Sequence, residues 1–71
     1  MELREILARN VRMRRNRLGL NQDELADLAK MDRTYVSKIE NCRNAATVDM
    51  IEKLAAAFGL EPPDLLRPDL D

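Results

Sequence analysis

Residues 21–41 read NQDELADLAKMDRTYVSKIEN, and this stretch predicts two short helices joined by a tight turn. Asn21 is a good helix cap, Glu24 stands three positions on, and Asp23 adds an acid to a first turn where the helix dipole favours negative charge. Leu25, Ala26 and Ala29 fall at i, i+1 and i+4, an inward stripe, while Asp23, Glu24 and Asp27 face water. The first helix is expected to end near Ala29, with Lys30 and Met31 in the turn. Asp32 then caps a second helix in which Val36 and Ile39, spaced i, i+3, point inward. Its outward face is Arg33, Thr34, Ser37 and Lys38.

Those four side chains suit base edges and phosphates, and none is acidic, whereas an ordinary solvated face mixes in Glu. Two short helices with such a face on the second predict a helix-turn-helix at about residues 22–40. The string GLNQDELADLAKMDRTYVSKIEN, residues 19–41, resembles the Cro and phage-repressor helix-turn-helix family. Within it DRTYVSKIE is similar to the controller proteins of restriction-modification systems, and the resemblance runs from about Val11 to Leu66. It implies an all-α, compact five-helix domain of the lambda-repressor type, binding a palindromic operator as a homodimer to regulate transcription. The alternatives are a phage or antitoxin-type repressor, and a helical interaction module that binds no DNA.

With 71 residues the chain is expected to form one domain, residues 1–71, which buries only about 60% of its unfolded surface. Its core is therefore marginal, and pairing with a second copy is a natural remedy. One Phe, one Tyr and no Trp fit a small helical globule of Leu, Ile, Val and Ala, and strand signals are missing. The single Cys42 permits no disulfide within the chain, and without His no metal site or cofactor is expected. A reducing, cytoplasmic setting fits, as the sequence holds neither a long apolar run nor a signal-peptide core. An enzyme is not expected either: no nucleophile has a base partner, and no Gly-rich phosphate loop occurs.

The net charge of -1 conceals segregation. Residues 1–43 hold ten Lys and Arg against seven Asp and Glu, and residues 44–71 hold two against six. A basic near side and an acidic far side suit DNA bound by one surface, because local field steers approach more than net charge does. A merely solvated surface would also account for the charges.

In chain order, a first helix is expected from Glu2 to about Arg17, with Glu2 and Glu5 early and Arg12, Arg14, Arg15 and Arg17 late. Its apolar line is Leu3, Ile6 or Leu7, Val11 and Leu18, and Arg15 falls on that line at i+4 from Val11. A charge there wants a partner, and the resemblance supplies Glu40, which implies a partly buried ion pair. Gly19 ends this helix and Leu20 turns into the core. Gln22 opens the next at a helix N-terminus, a natural anion site, and the family likeness gives it a phosphate-binding role, a plain solvent-exposed Gln being the alternative; Asn21 beside it is expected to bind phosphate too. Lys30 and Cys42 stand where the family often has Gly, so either the turns differ or a non-Gly residue bears positive φ.

Asn41, Arg43 and Asn44 follow the second helix of the motif as donors for the DNA backbone. Thr47 caps a fourth helix with Val48, Ile51, Leu54, Ala55 and Phe58 on its apolar face, Met50, Ala57 and Leu60 on its flanks, and Gly59 as its stop. Pro62 and Pro63 open a last short helix in which Leu65 and Leu66 have little chain left to cover them. With Phe58 and Leu60 they make the expected dimer interface, a lid on the domain's own core being the alternative. For base reading, Arg33 suits guanine O6 and N7, Thr34 suits thymine, and Ser37 and Lys38 lie one turn on. Tyr35 either joins them or packs beside Ile39. The likeness to repressors and controllers also offers Asp23, Glu24 and Asp27 to RNA polymerase, with helix-dipole compensation the simpler account.

Overall fold

The computed structural model describes residues 2–43 and 46–70. Helix α1 spans Leu3–Arg17, α2 Gln22–Ala29, α3 Arg33–Glu40 and α4 Val48–Phe58, and a 3-10 segment covers Pro62–Leu66. The fifth element is thus one tight turn rather than the α-helix expected. Pro62 and Pro63 lack amide donors, and Arg67, which precedes Pro68, is held extended at ψ 127°, so the segment cannot lengthen.

Each start is chemically marked. Asn21 Oδ1 accepts the Glu24 amide at 2.7 Å while Glu24 Oε1 accepts the Asn21 amide at 2.8 Å, a reciprocal box. Asp32 Oδ1 accepts the Thr34 amide at 2.8 Å, and Thr47 Oγ1 accepts the Met50 amide at 3.1 Å. The ends share one device, a residue at positive φ followed by an amide that bonds back five positions. Gly19, Lys30, Cys42 and Gly59 take that conformation, and Leu20, Met31, Arg43 and Leu60 donate to the carbonyls of Arg15, Ala26, Lys38 and Ala55. Lys30 at φ 56° and Cys42 at φ 58° therefore bear the left-handed geometry that glycine would take without a Cβ clash.

The core is a single cluster drawn from every element: Leu7 and Val11, Leu25, Ala26 and Ala29, Val36 and Ile39, Leu54 and Ala55, and Leu65. Met50, Ala57, Phe58, Leu60 and Leu66 pack against it, partly buried. Three residues on the expected apolar lines face water instead, namely Leu3 at 57% exposure, Leu18 at 53% and Val48 at 75%. Each lies in the first turn of its helix or just past the last.

Leu65 is a second correction, for it is fully buried in its own chain and presents nothing to a partner. Asn10 explains why. Its buried Nδ2 donates to the carbonyls of Leu65 and Arg67, both at 2.9 Å, and Arg9 donates to the carbonyl of Pro68. The end of the chain is thereby strapped across α1, which seats Leu65 in the core. Asn10 sits between buried Leu7 and Val11, and an amide on that face was the available sign.

Candidate nucleic-acid interface

Helices α2 and α3 are joined by Lys30–Asp32, and Val36 and Ile39 plant α3 on the core. The opposite face of α3 is therefore outward. Arg33, Thr34, Ser37, Lys38, Asn41 and Arg43 line one shallow depression of about 250 Å³, and no acid is among them. Tyr35, 41% exposed, does not join the core, nor does it line this hollow. Asn41 turns its Nδ2 back to the Ser37 carbonyl at 2.9 Å, closing the C-terminal turn of α3. Asn44 lies outside the described residues.

Glu40 fixes the pose of α3. Its carboxylate, buried with 4% of the side chain exposed, receives Arg15 Nε at 2.7 Å and Arg15 Nη2 at 3.1 Å. The two-point geometry is the strongest an Arg and a carboxylate can form. Hydrogen bonding to Glu40 raises the Arg15 pKa above its ordinary value, outweighing the opposite effect of burial. Arg15 Nη1 also donates to the Leu20 carbonyl at 2.9 Å, and Arg12 donates to the Glu40 carbonyl. Gln22 completes the junction, its Nε2 donating to Glu40 Oε1 at 3.2 Å. One carboxylate thus ties the end of α1, the start of α2 and the end of α3. Gln22, expected to meet a phosphate or bare solvent, has one donor engaged within the protein.

The acids of α2 divide by neighbour. Glu24 serves the cap at Asn21, and Asp23 Oδ1 lies 3.4 Å from Arg33 Nε in an exposed pair. Asp27 is exposed. The Asp23 to Arg33 contact joins two helices and left no mark in the sequence, since neither helical spacing nor the resemblance places those positions together. Arg12 was legible only as one member of a basic cluster; its carbonyl partner required the packing of α1 on α3. Asp32, at the start of α3, is held below the usual carboxylate range by the Thr34 amide.

Among the described residues no group of acids, His or Cys is arranged to hold a metal ion, and no helix is long and apolar enough to cross a membrane.

Comparison with known proteins agrees with this geometry. A helix-turn-helix family model matches residues 11–65. The chain is 45% identical over 67 residues to a hypothetical transcription factor of Neisseria meningitidis, covering 94% of this chain and 63% of that one, so it spans under two thirds of that relative. It is 38% identical to the control protein C.SmaI of Serratia marcescens, over 93% of this chain and 79% of the relative. Among solved structures, the restriction-modification controller C.AhdI of Aeromonas hydrophila superposes with TM-score 0.82 at 34% identity, covering 87% of this chain and 94% of that one. The likeness to control proteins takes in α1 and the 3-10 segment as well as the motif, and the chain belongs to the Cro/C1-type helix-turn-helix family.

Proposed function

We propose that the protein is a DNA-binding transcriptional regulator of the restriction-modification controller kind, acting in the cytoplasm as a homodimer on an operator of two inverted half-sites. The observation that carries this reading is the acid-free depression on α3, where two cations, two hydroxyls and an amide converge with Arg43 on one outward face. Such a face meets the requirements of a major groove, in which donors reach base edges and flanking cations meet phosphates. The likeness to C.SmaI and C.AhdI supports the same role. Arg33, Thr34, Ser37 and Lys38 read bases, Tyr35 works at the groove edge, and Asn21, Gln22, Asn41, Arg43 and Asn44 position the backbone.

For the dimer we favour a face at the start of α1 and α4. Leu3 and Val48 are exposed there, and Ile51 and Leu66 line two adjoining apolar hollows with Ala46, Pro62 and Pro63. Arg4 and Glu52 also line them, opposite charges that a twofold contact can pair. Leu66 is kept from the expected interface, while Leu65 is excluded by its burial. Val48→Asp should shift the sedimentation of the protein toward the monomer. Asp27 is the acid of α2 best placed to meet RNA polymerase, because Asp23 and Glu24 have partners within the chain.

A salt titration on random duplex tests the reading. A DNA binder loses affinity steeply as salt rises, whereas a protein-binding adaptor of the same fold shows little affinity at any salt. Selection from a random duplex pool should then return a motif of two inverted halves about 10 bp apart, centre to centre.

A further inference from the structure

Asp23 is the second residue of α2 and Arg33 the first of α3, and their side chains meet across the motif with Nε and Oδ1 at 3.4 Å. Both remain open to solvent, at 62% exposure for Arg33 and 71% for Asp23. An exposed pair of this kind adds little to folding stability. Its weight falls on binding, because it places an acid beside the foremost cation of a face otherwise free of acids.

A guanidinium carries five N–H donors in a rigid fork. A carboxylate at Nε leaves the Nη1 and Nη2 edge for a two-point contact with guanine O6 and N7. A phosphate, by contrast, is repelled by Asp23 and must compete with it for Arg33. We propose, building on the base-reading role given to Arg33 above, that Asp23 is a positioning and specificity-determining residue. It aims the fork of Arg33 outward and withholds that charge from phosphates. On the matching sequence Arg33 gains the guanine contact while keeping Asp23. On any other sequence it gives up Asp23 for a phosphate contact, and the exchange yields little. The acid therefore lowers affinity for DNA at large more than for the operator.

The test measures binding to a selected operator and to random duplex across a salt series, for wild type, Asp23→Asn, Asp27→Asn, Arg33→Ala and the Asp23→Asn/Arg33→Ala double variant. Thermal unfolding of each establishes that it is folded, as expected for exposed positions. Asp23→Asn should bind random duplex about threefold to fivefold more tightly, the range set by an exposed ion pair. Its salt dependence should steepen by about one released counterion, and its preference for the operator should fall by a similar factor. None of these changes should appear when Asn is introduced into the Arg33→Ala background. The proposal is overturned if Asp27→Asn reproduces the effect, which would make it a matter of net charge, or if Asp23→Asn acts equally without Arg33. Unchanged discrimination in Asp23→Asn, with discrimination lost in Arg33→Ala, defeats the positioning role alone. Unchanged discrimination in Arg33→Ala defeats the base-reading role on which it rests.

Discussion

Replacing Arg15 by Ala strips Glu40 of the two donors that neutralise it and leaves a carboxylate with 4% of its side chain in contact with water. Gln22 Nε2 at 3.2 Å remains, a neutral donor that cannot balance the charge. Breaking a buried ion pair from one side costs about 3–5 kcal/mol. Arg15 itself is 15% exposed, so water can relax into part of its place, and the lower end of that range, about 3 kcal/mol, is expected. A domain of 71 residues has a total stability of roughly 4–10 kcal/mol, so the variant should lie close to unfolding at growth temperature. Urea unfolding followed by far-ultraviolet circular dichroism measures the loss, and unfolding should release α1, α2 and α3 together. The double variant Arg15→Met/Glu40→Leu, which removes both charges, should recover most of the stability. An Arg15→Ala protein with the wild-type midpoint would refute the view that Glu40 holds the motif in its pose.

The other structural devices give smaller effects. Asn10→Ala leaves the Leu65 and Arg67 carbonyls without their donor, at a cost of about 2 kcal/mol, and amide exchange at Arg67 and Leu70 should quicken before the rest of the chain. Lys30→Gly and Cys42→Gly relieve positive φ and should each stabilise by about 0.5–1 kcal/mol in chemical denaturation, the added freedom of the unfolded chain offsetting part of the gain. Destabilisation by either would mean that the side chain packs better than its backbone suffers. Asp32 titrates lower in the folded chain than unfolded, so its cap is fully effective above the ordinary Asp value of about 3.9 and fades as pH falls through the folded value. The difference in unfolding midpoint between wild type and Asp32→Asn, which caps without a charge, should therefore stay constant above the ordinary Asp value and change as pH falls below it.

The motif was legible because its signals are local. Asn21 with Glu24, and Asp32, mark helix starts within one turn, and Leu25, Ala26, Ala29, Val36 and Ile39 carry the period that plants both helices. What the sequence concealed depends on residues far apart. Leu65 is buried because Asn10, 55 positions earlier, holds its backbone, so an apolar pair near the chain end read as uncovered. Val48 and Leu3 fit a helical stripe, but a stripe does not tell which of its members the rest of the chain covers. The pairing of Asp23 with Arg33 depends on how two helices cross, which composition does not encode. The Arg15 to Glu40 contact, between residues 25 positions apart, was approachable only because a charge on an apolar line demands a partner and the family likeness named one.

The central claim, that the outer face of α3 reads bases while flanking cations anchor the backbone, is tested most directly by Arg33→Ala and Arg43→Ala on a selected operator and its single-base variants. Loss of Arg33 should cost about 1–3 kcal/mol on the operator and erase discrimination at one base pair of each half-site, whereas loss of Arg43 should weaken every sequence alike and lower the salt slope by about 1. Uniform weakening across all sequences by both variants would contradict the account.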